Sequence, residues 1–184
     1  FSLTEIQKNY LLATARASIA VALDIDCEVP APPEDEIRHS CGAFVTLKID
    51  GKLRGCIGTM ESEAPLPSLI EDMAKSSAFR DPRFPELSRN EYDQITIELS
   101  ILSPLSRIHD LSDIEIGTHG IMLRDGFRSG VLLPQVATEQ RWNRTEFLEN
   151  TCRKANLPPQ AYKKENVELY VFSAILCDER EKST

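Results

Sequence analysis

Apolar and polar positions alternate along this chain with two periods, and the changes of period mark out its elements. Ile6, Tyr10, Ala13, Ala17 and Val21 recur at helical intervals, predicting a first helix with one buried stripe that ends near Leu23. Ser2 and Glu5 have capping-box spacing at its start, with Phe1 and Ile6 placed as the flanking apolar pair. Pro30, Pro32 and Pro33, with acidic residues after them, predict an exposed loop over 26–40. Segments 43–49 and 52–57 flank Asp50-Gly51, a two-residue turn signal, and predict a hairpin. Leu66, Leu69, Ile70, Met73 and Ala78 mark a second helix opened by Pro67-Ser68. It runs into Arg80-Asp81-Pro82-Arg83-Phe84-Pro85, where the prolines impose an extended loop.

Ile95, Ile97, Leu99 and Ile101 alternate with Thr96, Glu98 and Ser100, the pattern of a strand with one face buried. A looser region from Pro104 to Gly117 follows, and then a second hairpin, 119–124 with 127–133 around Asp125-Gly126. Pro134 opens a helix to about Trp142. Thr145 caps another that carries Phe147, Leu148 and Cys152 and is broken by Pro158-Pro159, and 167–177 forms a last strand. Strands joined by tight turns are antiparallel, so the expected class is α+β and not doubly wound. Two sets of hairpin plus helix predict two unequal lobes, near 1–103 and 104–184, with a cleft between them.

Composition narrows the functional classes. A chain of 184 residues that is 41% hydrophobic can build one domain or two small lobes. No stretch approaches the roughly 18 consecutive apolar residues of a membrane span, and the first residues lack the basic and apolar regions of a signal peptide. The expected location is therefore cytoplasmic. A net charge of −8 argues against general nucleic-acid binding, although Arg80, Arg83 and Arg89 lie close together as either a local patch or a solvated face. Cys27, Cys41, Cys56, Cys152 and Cys177 are odd in number and lack CxxC spacing, so neither a disulfide framework nor a structural zinc site is expected. His39, His109 and His119 lack the spacing of a helical metal pair, and no cofactor follows from the residues.

The segment Leu53-Arg54-Gly55-Cys56-Ile57-Gly58-Thr59 carries the strongest chemical signal. A two-residue turn at 50–51 pairs Ile49 with Lys52, Leu47 with Arg54 and Val45 with Cys56. Arg54 and Cys56 would then share the face of Val45, Leu47 and Ile49, putting a charge on an apolar surface. Such a conflict marks a functional site or a strand end reaching solvent. A guanidinium beside Cys56 would favour its thiolate, and Gly55 and Gly58 leave room for a ligand or another backbone. The plainer reading makes Cys56 a small buried residue and the glycines part of a bulge. His119, flanked by Gly117 and Gly120, is either a base that completes a thiol–imidazole couple or a hydrogen-bonded strut. Asp81 and Arg83 either hold an anionic group or staple their own loop. Gln140 and Trp142 close a short helix, with Trp142 read as core. Walker, dinucleotide, GxSxG and HExxH motifs are absent.

These segments resemble the AMMECR family, named for a human chromosomal region linked to Alport syndrome, midface hypoplasia and elliptocytosis. The resemblance runs through 53–59, through Arg80-Asp81-Pro82-Arg83-Phe84-Pro85-Glu86-Leu87 (where the family more often has proline at Glu86), and through Thr118-His119-Gly120-Ile121. It continues over Leu132-Leu133-Pro134-Gln135-Val136-Ala137, Glu139-Gln140 and Trp142, covering residues 3 to 178 in order. It implies a two-lobed α+β fold with a cleft. It also implies kinship with protein A of the AmmeMemoRadiSam system, whose other parts are a Memo-type protein and a radical S-adenosylmethionine enzyme, so both are expected partners. No settled activity comes with the family. Two readings follow. One is a thiol-dependent enzyme in a redox or modification pathway, with Cys56 and His119 as catalytic candidates and Arg54, Gly55, Gly58, Thr59, Asp81, Arg83 and Gln140 as ligand-binding candidates. The other is a non-enzymatic binding module that uses the same surface.

Overall fold

The computed structural model describes residues 1–181 and has the expected α+β architecture, with two antiparallel sheets. Helix α1 spans Glu5–Ala22, strands β1 and β2 span Ala43–Ile49 and Lys52–Thr59, and α2 spans Leu66–Phe79. A short α3 (Arg89–Tyr92) precedes β3 (Ile95–Leu102) and β4 (Ser106–Ile108). Next come β5 (Gly120–Asp125), β6 (Arg128–Leu132), α4 (Pro134–Gln140), α5 (Arg144–Lys154), β7 (Glu168–Phe172) and β8 (Ala174–Asp178). One sheet has the order β2-β1-β3-β8 and the other β4-β7-β5-β6.

The chain divides into two compact units. One is Phe1–Leu102 together with the chain from Ile175 onward, which carries all of β8 but its first residue, and the other is Ser103–Ala174. Each has its own core. In the first, Leu11, Ala15, Ile19, Leu66 and Ile70 pack on the sheet face that carries Val45, Leu47, Ile97 and Leu99. In the second, Phe147, Leu148 and Cys152 pack with Ile121, Leu123 and Leu169. The expected single strand over 167–177 is two strands, one in each sheet, broken at Ser173. There Ser103 and Ser173 satisfy each other's backbone, the Ser103 N–H donating to the Ser173 carbonyl at 2.9 Å and the Ser173 N–H to the Ser103 Oγ at 2.8 Å.

Four local expectations are corrected. The first helix is capped by Thr4 with Gln7, not by Ser2 with Glu5, and its buried side chains are Leu11, Leu12, Ala15 and Ile19. Ile6 and Val21, ends of the expected stripe, are 70% and 65% exposed. Two apolar stripes compete on α1, and the one with larger side chains is buried because each buried Leu or Ile contributes about 2 kcal/mol, far more than an Ala. Helix α5 is capped by Asn143 with Glu146, not by Thr145. In the second hairpin Asp125 pairs with Arg128, so the turn is Gly126-Phe127 and not Asp125-Gly126. Glycine at the first turn position, with φ of +60°, satisfies the one site there that needs a left-handed backbone.

The first hairpin turns at Asp50-Gly51 as expected, both with positive φ. Its register holds only as far as Lys48↔Leu53. A bulge between Leu47 and Lys48 then leaves Arg54 without a partner, so Leu47 faces Gly55, Thr46 faces Cys56 and Val45 faces Ile57. The expected pairings of Leu47 with Arg54 and Val45 with Cys56 are therefore wrong by one residue, and every position beyond the bulge changes face.

Candidate functional site

The bulge moves Cys56 off the apolar face. Thr46 pairs with Cys56 on one side and with Glu98 on the other, so a thiol, a hydroxyl and a carboxylate form one row across three strands. This row lies opposite Val45 and Leu47, the face on which α1 and α2 pack. The Cys56 Sγ lies 3.2 Å from the Thr46 Oγ1 and is half-buried. Lys48 forms an ion pair with Glu98 beside it.

Arg54 has a different role from the one its spacing predicts. Its guanidinium forks onto Glu91, Nε to Oε2 at 2.7 Å and Nη2 to Oε1 at 3.1 Å, and Nη2 also donates to the Pro85 carbonyl at 2.9 Å. Glu91 is in turn the N3 residue of the Ser88 capping box. The Arg54 side chain holds the Glu91 carboxyl down to about 2, aided by the Ser88 N–H and opposed by burial. Arg54 thus fastens α3 to the bulge.

The glycines serve backbone packing. A Cβ on Gly55 would lie 2.2 Å from the Ser77 carbonyl oxygen on α2, and one on Gly58 would lie 2.4 Å from the Ala43 carbonyl oxygen and the Phe44 ring. That contact brings the buried Ser77 between the strands. Its Oγ accepts from the Ile57 N–H at 2.9 Å and donates to the Val45 carbonyl at 2.7 Å. Thr59 is half-buried and donates to the Glu61 carbonyl.

Asp81 and Arg83 grip the peptide of Cys56 itself. The Asp81 Oδ2 accepts from the Cys56 N–H at 2.9 Å, and Arg83 Nη2 donates to the Cys56 carbonyl at 3.3 Å. The two side chains are joined by Nη2–Oδ2 at 2.7 Å and Nε–Oδ1 at 3.0 Å. The Asp81 side chain is 2% exposed and that of Arg83 55%, so a sealed carboxylate anchors a cation that reaches solvent. Hydrogen bonding from the Arg83 side chain, joined by the Cys56 and Arg83 N–H groups, holds the Asp81 carboxyl well below the usual carboxylate range against the opposing effect of burial. Phe84 lies beneath both guanidinium groups, 5.5 Å from Arg83 and 5.9 Å from Arg54.

His119 and Gln140 belong to the second unit. The His119 Nδ1 accepts from the Glu115 N–H at 3.1 Å, and the His119 backbone N–H donates to the Glu115 carbonyl at 2.9 Å, tying the turn that leads into β5. Gln140 is exposed at the end of α4, and Trp142 packs against the core of its unit. Among the described residues no three of His, Cys, Asp and Glu are grouped to hold a metal. Thr46, Ser77, Glu91 and Glu98 were given no part in the site by the sequence pattern. The Ser88–Glu91 capping-box spacing was the one signal that could have drawn Glu91 into it.

The family model AMMECR1 matches residues 12–177. Protein MK0488 of Methanopyrus kandleri is 40% identical over 97% of this chain and 91% of its own. Protein NEQ441 of Nanoarchaeum equitans is 37% identical over 92% and 98%. The crystal structure of the uncharacterized protein PH0010 from Pyrococcus horikoshii matches with a TM-score of 0.80 at 35% identity, covering 94% of this chain and 93% of that one.

Proposed function

We propose, starting from the fact that this chain belongs to the AMMECR1 family, that it is a non-enzymatic recognition module whose Cys56 surface holds an acidic segment of a partner protein. The observation that carries the reading is the Asp81–Arg83 grip on the Cys56 peptide. A guanidinium fixed by a sealed carboxylate and half open to solvent is pre-organised to receive a carboxylate at little cost in side-chain entropy. The thiol, in contrast, has a hydroxyl for its neighbour, and Arg54 is engaged with Glu91. A nucleophile needs an adjacent base as well as a cation, and the one open cation here, Arg83, is held by Asp81 and the Cys56 carbonyl.

The partners that the family resemblance implies, a Memo-type protein and a radical S-adenosylmethionine enzyme, are the proteins to test. Capture of each is compared for the native chain, Cys56→Ser and an Asp81→Asn/Arg83→Ala double variant, which removes the cation without stranding a buried charge. The proposal expects Cys56→Ser to bind as the native chain does and the double variant to bind at least about tenfold more weakly. Loss with Cys56→Ser and retention by the double variant would favour a thiol-dependent enzyme instead.

A further inference from the structure

A second candidate site lies wholly within Ser103–Ala174, a unit that the reading above does not use. A pocket of about 360 Å³ opens between β4, the turn at Ala161–Lys163 and the start of β7. That volume falls within the roughly 300–1,000 Å³ of small-molecule sites. Its floor is apolar, with Ile108, Tyr162 and Leu169 each 7–8% exposed. Its rim is basic, formed by Arg107, His109, Lys163 and Lys164 against one carboxylate, Glu165. Glu168 stands just outside and is engaged by Arg107 at 3.4 Å.

Two features make this more than a scatter of surface charge. The basic residues are held on fixed backbone. Arg107 lies in β4, paired with Tyr170 of β7, and the Lys163 and Lys164 N–H groups close the turn onto the Gln160 and Ala161 carbonyls at 3.1 Å each. The Lys163 ammonium also sits 5.7 Å from the centre of the Tyr162 ring, which orients it beside the pocket. Residues 103–174 carry nine Lys and Arg against nine Asp and Glu, so the chain's net charge of −8 resides in the other unit. The acidic excess of the chain therefore does not fall on the unit that carries this rim.

We propose that this pocket binds a small organic phosphate, with the ring or hydrocarbon body over Tyr162 and the phosphate among Arg107, His109, Lys163 and Lys164. An apolar floor with a rim of three permanent cations selects a molecule with both parts, and a dianion matches that rim better than a single carboxylate.

The test is calorimetric titration of the full chain with adenosine monophosphate and with phenyl phosphate, beside adenosine, phenol and inorganic phosphate. At least one organic phosphate should bind saturably, at least about tenfold tighter than its uncharged counterpart and tighter than inorganic phosphate. Lys164→Glu should weaken it by about tenfold or more. Arg153→Glu, an equal charge change on α5, should alter it by less than about twofold, with urea midpoints confirming that both variants fold. Absence of saturable binding by both probes, equal affinity for the uncharged molecules, or equal effects of the two charge reversals would overturn the proposal.

Discussion

Arg54 and Cys56 stand two apart in sequence, and a single extra residue in the strand gives them separate roles. The segment's chemistry was legible, since charge, thiol and glycines stood out from an apolar pattern. Their directions were not, because a bulge depends on what packs against it. Here the Ser77 carbonyl presses on Gly55, and Glu91 and Pro85 draw Arg54 away. The two carboxylates of this network give the site a pH signature. Asp81 and Glu91 are both held below their ordinary values in the folded chain, which therefore binds fewer protons than the unfolded one. Their stabilisation is present at neutral pH and is lost as pH falls from roughly 5 towards about 2. Urea midpoints over that range should drop for the native chain and drop less for an Asp81→Asn/Glu91→Gln double variant, which starts lower. Parallel curves would remove these carboxylates from the account.

At the scale of elements, position and type were readable and register was not. Both hairpins, both long helices of the first unit's pattern and the alternating β3 lie where apolar periodicity placed them. The errors of face share one cause. A periodic pattern specifies a face only relative to a neighbour, and the neighbours (Ser77 for β2, the sheet for α1) come from elsewhere in the chain. The contact between α2 and β2 is the tightest such dependence. Gly55→Ala would force its Cβ against a backbone oxygen that cannot move without shifting α2. A loss of about 3 kcal/mol is expected in chemical denaturation. A loss below about 0.5 kcal/mol would mean that the helix yields easily and that the bulge does not depend on it.

For the whole molecule, the sequence indicated an α+β chain but concealed the break at Ser173, because 167–177 reads as one apolar run. The chain comes back into its first sheet through β8, and Glu179 just beyond it fastens that return. Glu179 accepts from Arg16 at 2.7 and 2.9 Å and from the Ile97 N–H at 2.8 Å. Glu179→Ala strands a partly buried guanidinium and a strand N–H, and should lower stability by about 3 kcal/mol by denaturant titration. A change within about 0.5 kcal/mol would show that β8 is held by its apolar contacts alone.

The central claim is that the Cys56 region recognises and does not react, and cysteine-resolved alkylation tests it most directly. Cys27 is exposed, Cys56 is half-buried, and Cys41, Cys152 and Cys177 are buried, with burial pushing the Cys177 thiol up to about 11. Mass spectrometry of the folded chain under limiting iodoacetamide at neutral pH should therefore find Cys27 labelled first, with Cys56 no faster. Labelling of Cys56 well ahead of Cys27 would contradict the account and make it a reactive thiol.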